Sequence, residues 1–197
     1  MATGMTGPLA RASIQSMRRF WTILAIGFLT LPAAAFAAGE PTDTIRLDAE
    51  TVAAIYALDH LDGAPLPESL EGRVVVVTFF ASWCPPCHVE FRQLERIHAA
   101  YADRGVTVIA FNIFEAAGRF ADSGDRLSQF LDRYQPDYPI LVADDRIAQL
   151  FGDVRRIPTV TVFGRDGHTR LHFIHERGSD QMNPDFETLH AAIREAL

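Results

Sequence analysis

The sequence predicts an α/β domain in three layers, with a central mixed β-sheet flanked by helices. Three observations carry this. Largely apolar, β-branched runs such as Val74–Phe80 alternate with stretches of helical periodicity. The last two apolar runs, "PTVTVF" and "TRLHFIH", are joined by the turn "GRDG", which marks an antiparallel pair. No repeat or low-complexity segment interrupts the pattern.

Residues 1–37 stand apart from that domain. Arg11, Arg18 and Arg19 precede the charge-free run Phe20–Leu31, and Ala35-Phe36-Ala37 has the small-x-small pattern of a cleavage site. A secretory signal peptide cut near Ala37 or Ala38 is expected, leaving 38–197 as one domain. The alternative is an uncleaved membrane anchor over residues 20–38, since no charge occurs from Phe20 to Gly39. Under both readings the working part lies outside the cytoplasm, in the periplasm. All 18 basic residues are arginine, which excludes lysine Schiff-base chemistry and a P-loop. Residues 38–197 keep 15 of them against 25 acidic residues, a formal charge of −10 that argues against a nucleic-acid partner.

Along the domain, "HLDGAPLPESLEGR" (His60 to Arg73) carries two turn signals, Asp62-Gly63 and Glu71-Gly72, and reads as a hairpin and loop feeding a buried central strand, "VVVVTFF". From Pro85 to Tyr101 the apolar residues recur at three and four, the spacing of an amphipathic helix. A second buried strand follows from Val106. Residues 116–124 form a loop, with Ser123 as N-cap of a helix through Tyr134. "YPILVA" is a third strand and "DDRIAQLFG" a short helix ending at Gly152. After the final strand pair, Asn183 as N-cap and Pro184 as first helical residue open a last helix.

The only two cysteines, Cys84 and Cys87, fall where the central strand meets the long helix. Residues three apart on a helix share a face, so the two sulfurs can meet and part with little backbone movement. A bond between them closes almost no loop and is a poor structural staple, whereas an oxidising compartment suits a maintained redox pair. Cys84, at the helix start, is favoured as a thiolate by unpaired N–H groups and the helix dipole, and is the expected nucleophile. Cys87, one turn in, is the expected resolving thiol. Pro85 and Pro86 occupy first-turn positions whose N–H groups have no helical acceptor.

Trp83-Cys84-x-x-Cys87 after an apolar strand, with Ile157-Pro158-Thr159 before a later one, resembles the thioredoxin superfamily. "DGAPLPESLEGRVVVVTFFASWCPPC", a helix inserted between the second and third strands, and "DYPILVADDRIAQLFGDVRRIPT" are similar to the extracytoplasmic TlpA/ResA-like thiol-disulfide oxidoreductases, which include the cytochrome c maturation thioredoxins. The resemblance covers residues 60–197. It implies a thioredoxin-like fold with an N-terminal hairpin and an inserted helix, Cys84 and Cys87 as the redox pair, and Trp83 as the aromatic beside it. Pro158, with Ile157 before it, matches the cis-proline whose loop holds an extended substrate; a trans turn proline is the alternative. Glu90 matches an acidic residue three after the second cysteine, on the helix face of Cys87 and able to exchange a proton with it. The other reading of Glu90 is a first-turn carboxylate complementing the dipole. His88 and Arg92 depart from the family, which places Lys or Arg and a proline there, and Thr78 stands where thioredoxins carry a buried aspartate.

The expected function is a protein thiol-disulfide oxidoreductase acting on a disulfide-containing protein, with electrons from a membrane thiol transporter and no cofactor. A reductase is favoured over a disulfide-forming oxidase, and a monomer is expected. A copper-binding module using the two sulfurs is the rival class, since thiolates suit Cu(I), although His168, His172 and His175 read as surface histidines and not as ligands. Cys-x-x-Cys-His also matches haem attachment, but a strand-to-helix junction offers no porphyrin pocket, and His88 reads as a solvated helix residue. A peroxide-reducing thiol enzyme is disfavoured, because Val77 and Ala81 stand where such enzymes place Pro and Thr.

Overall fold

The computed structural model describes residues 45–115 and 124–197, so the expected signal peptide and the Ser123 cap lie outside the described residues. In chain order the elements are α1 (Ala49–Tyr56), β1 (His60–Asp62), β2 (Val74–Phe80), α2 (Pro85–Tyr101), β3 (Val106–Asn112), α3 (Gly124–Tyr134), β4 (Ile140–Val142), α4 (Asp145–Leu150), β5 (Thr159–Phe163), β6 (Thr169–Ile174) and α5 (Phe186–Ala196). The six strands form one mixed sheet in the order β1-β4-β3-β2-β5-β6. β2, β3 and β4 run parallel, and β5 and β6 extend the sheet antiparallel.

Every residue of β2 and β3 is buried, as continuous apolar strands require when both sheet faces are covered. The faces can be told apart at the end of β2, where successive side chains point opposite ways. Phe80 packs on Phe91 of α2 and Phe130 of α3, with ring centroids 4.6 and 5.1 Å away. Phe79 packs on Phe111 and on Phe151 at the end of α4, at 5.0 and 5.2 Å. Helix α5 lies beside α2, where Arg96 stacks on Phe186 at 3.9 Å, and α1 lies beside α4. The three-layer α/β architecture is thus observed, with α2 unbroken through Arg92.

Three features differ from the sequence reading. The N-terminal hairpin does not form: β1 pairs antiparallel with β4 at the far edge, because β3 and β5 already occupy both sides of β2. Helix α1 was not anticipated, although Asp48 caps it by accepting from the Thr51 N–H at 2.9 Å. The last helix starts after Asp185, not Asn183, since the Asp185 carboxylate accepts from the Thr188 N–H at 2.8 Å while the Asn183 amide donates to the Pro184 carbonyl.

Candidate active site

The redox pair sits where the local chemistry of the chain directs it. β2 ends at Phe80, and Cys84, with extended backbone, is the N-cap residue of α2, followed by two prolines that surrender no helical hydrogen bond. Cys84 and Cys87 are joined in a disulfide with a Cα separation of 5.3 Å. Cys84 is 3 % exposed and lines a surface groove; Cys87 is fully buried beneath it. Attack from solution therefore reaches Cys84 first.

The groove brings distant segments together. Trp83, Pro85 and Pro86 form one side and Ile157 the other, and the Ile157–Pro158 peptide bond is cis. Pro158 is buried, and its carbonyl accepts from the His175 N–H at 3.0 Å, which ties the proline loop to the end of β6. The Trp83 indole N–H donates to the Phe114 carbonyl at 3.0 Å, and Phe114 itself holds a left-handed backbone, φ 63°, unusual for an aromatic residue. The candidate residues Trp83, Cys84 and Ile157 thus share one surface, while Pro158, Cys87 and Glu90 lie behind it.

Glu90 projects from the face of α2 that carries Cys87 and is fully buried, with neither carboxylate oxygen hydrogen-bonded. Loss of solvation pushes its pKa from 4.5 up to about 8. Thr78 lies on the same face of β2 as Phe80, and its buried hydroxyl likewise makes no hydrogen bond. A dipole-complementing surface glutamate would be solvated; Glu90 is a carboxylic acid held in an apolar layer.

Two site residues escaped the sequence reading or were misread by it. Glu115, just past β3, accepts from the Ser82 N–H at 2.6 Å, the Ser82 hydroxyl at 2.8 Å and the Asn112 amide at 2.6 Å, and so anchors the segment leading into Cys84. Its one sequence signal is an acidic residue directly after an apolar strand. His88 is half-buried and not freely solvated: its Nδ1 meets the Tyr134 hydroxyl at 3.0 Å, its Nε2 meets the Ser82 carbonyl at 2.9 Å, and its ring lies 4.7 Å from Phe130. Both ring nitrogens being engaged, His88 is unsuited to ligate haem iron. His172 is also no simple surface residue, for it is half-buried against the Thr161 hydroxyl at 2.9 Å and its pKa is pushed down by burial. Among the described residues no three His, Cys, Asp or Glu side chains converge as a metal site.

Comparison with known proteins then decides the family. Residues 58–190 match the Redoxin family. The chain belongs to that family. The Redoxin domain is similar to ResA, a thiol-disulfide oxidoreductase of Halalkalibacterium halodurans, at 28% identity over 137 residues, covering 68% of this chain and 72% of the relative. ResA of Bacillus subtilis is 26% identical over 113 residues, covering 57% of this chain and 59% of that protein. Among solved structures, a Chlorobium tepidum protein described as a thiol:disulfide interchange protein DsbE superposes with TM-score 0.52 at 28% identity, covering 71% of this chain and 99% of that one. A secreted Mycobacterium tuberculosis disulfide oxidoreductase, at TM-score 0.53 and 21% identity over 70% of this chain and 93% of that one, shares the fold. The Redoxin domain with its Cys84–Cys87 pair is a thiol-disulfide oxidoreductase with a thioredoxin-like fold.

Proposed function

We propose that the protein is an extracytoplasmic reductase of protein disulfides, re-reduced by a membrane thiol transporter, with residues 1–37 as its export signal. The observation that carries the direction is Glu90, a buried carboxylic acid one turn beyond Cys87 whose pKa, about 8, lies close to that of an ordinary thiol. Matched acidities allow a proton to pass either way at little cost.

In the proposed cycle the Cys84 thiolate attacks one sulfur of the substrate disulfide, and the other substrate sulfur leaves as a thiolate. Cys87 then loses its proton to the ionised fraction of Glu90, a minor population below a pH of about 8, and attacks the Cys84 sulfur, which releases the second substrate thiol and closes the disulfide seen here. Two electrons pass from the dithiol to the substrate. When the transporter reopens the disulfide, Glu90 returns the proton to Cys87. A carboxylate that takes the Cys87 proton assists closure of the disulfide, the step in which the dithiol gives up its two electrons to the substrate. An apocytochrome in cytochrome c maturation is a fitting substrate, and the names of the ResA and DsbE relatives support the thiol-disulfide chemistry.

A redox titration of the Cys84/Cys87 couple against glutathione tests the direction. A midpoint near or below that of thioredoxin, about −270 mV, is expected. A midpoint near that of a strong disulfide oxidant, about −120 mV, would assign the same fold and cysteines to disulfide formation.

A further inference from the structure

The groove at Cys84 has a charge pattern that runs against the composition of the chain. Acidic residues outnumber basic ones by 25 to 18, yet every formally charged side chain lining this groove is an arginine: Arg155, Arg156 and Arg177. Arg155 is engaged by Asp153 at 2.8 Å on an exposed edge. Arg156 and Arg177 are exposed and meet no carboxylate among the described residues. Glu176 and Asp180 belong to the same loop as Arg177 but do not line the groove. The groove, about 360 Å³ in volume, has an apolar floor that includes Trp83, Pro86, Ile157 and Met182. Met182 is 49 % exposed there, a flexible apolar side chain left half open to solvent.

We propose that this groove selects disulfide substrates whose reactive cysteine lies in an extended segment with an apolar neighbour and flanking aspartate or glutamate. This rests on the reductase reading above and names its substrate class. The apolar neighbour fills the Trp83–Met182 floor, and the flanking carboxylates meet Arg156 and Arg177, whose planar guanidinium groups suit bidentate carboxylate pairing. An extended chain advances about 3.3 Å per residue, so the selecting carboxylates lie within a few residues of the cysteine. Because both arginines are exposed, the preference resides mainly in encounter rate and is screened by salt over about 10 Å at 0.1 M ionic strength.

The test uses the full chain, reduced with dithiothreitol and desalted, in single-turnover reactions with two disulfide-bonded peptides. They share an apolar residue beside the cysteine and differ only in carrying two aspartates or two arginines as flanks. Neutral hydroxyethyl disulfide serves as the control for the underlying reading. The acidic peptide should react about tenfold faster at low ionic strength, the ratio shrinking as salt is added. The double substitution Arg156→Glu, Arg177→Glu should invert the ratio, and Arg156→Gln, Arg177→Gln should bring it near one. Equal rates for the two peptides, with hydroxyethyl disulfide still reduced, would overturn the substrate class alone. Failure to reduce any of the three disulfides would instead overturn the reductase reading. A dimer of this chain that dissociates on charge reversal, with no peptide preference, would assign the groove to a second copy and overturn the proposal.

Discussion

The Glu115 carboxylate grips Ser82 twice, accepting from its backbone N–H at 2.6 Å and from its hydroxyl at 2.8 Å. Through this pair the end of β3 holds the segment that delivers Cys84 to the start of α2. Hydrogen bonds to a charged group contribute about 1.5–3 kcal/mol, and a donor left buried without its partner costs a similar amount. Glu115→Ala should therefore destabilise the oxidised protein by about 2–3 kcal/mol in urea titrations. Ser82→Ala, which keeps the backbone bond, should cost about 1 kcal/mol. If Glu115 also positions the redox loop, its alanine variant will shift the midpoint of the Cys84/Cys87 couple, which a purely structural loss would leave in place.

Glu90 sets a pH dependence whose sign follows from its burial. In the folded protein it keeps its proton up to a pH of about 8, while the unfolded chain releases it near 4.5. Between those values the folded state binds more protons, so stability falls as pH rises through that window and levels off above it. Glu90→Gln should flatten this slope, and the stability difference between variant and parent should change by roughly 3–5 kcal/mol between about pH 4 and about pH 9. Chemical denaturation of the oxidised protein across that range measures it. The same variant should lose the limb of the pH–rate profile near pH 8, and an unchanged profile would remove Glu90 from the proposed proton transfer.

His88 joins α2 to α3 through Tyr134 and to the redox loop through the Ser82 carbonyl. Its replacement by leucine removes both hydrogen bonds and should cost about 1–2 kcal/mol at neutral pH. Tyr134→Phe should cost about 1 kcal/mol. Because the two side chains share one hydrogen bond, while Tyr134 also donates to the His88 backbone carbonyl, the double variant should lose less than the sum, and a double-mutant cycle by thermal denaturation measures the coupling. Strict additivity would show that the His88–Tyr134 contact contributes nothing.

The exposure difference between the cysteines predicts which one is attacked. Cys87→Ser should accumulate mixed disulfides through Cys84, visible by mass spectrometry after acid quenching, while Cys84→Ser should trap none and turn over no substrate. The opposite pattern would exchange the nucleophilic and resolving roles.

What could be read from the sequence were relations between neighbours. The alternation of apolar runs, the i, i+3 spacing of Cys84 and Cys87 and the two prolines at the first helical positions determine backbone conformation locally, so the strand-to-helix redox junction followed from them. Element partners were harder. The turn signals at Gly63 and Gly72 were real, both residues having positive φ, but no local rule showed that β1 would cross to β4. The last helix slipped by two residues because Asn183 and Asp185 are both competent caps, and only the bond to Thr188 chose between them.

The sequence by itself determined the α/β fold, the place of the cysteine pair and its thiol-disulfide chemistry, since these depend on periodicity and on residues a few positions apart. Only the tertiary structure decided the environment of that pair. Glu115 reaches Ser82 across 33 positions and His88 reaches Tyr134 across 46, while Arg156 and Arg177 come to the groove of Cys84 from a different part of the chain. The burial that raises the Glu90 pKa is likewise a property of the apolar layer between α2 and the sheet. Desolvation and charge act through space, so their effect on a side chain is set by which segments the sheet order brings beside it.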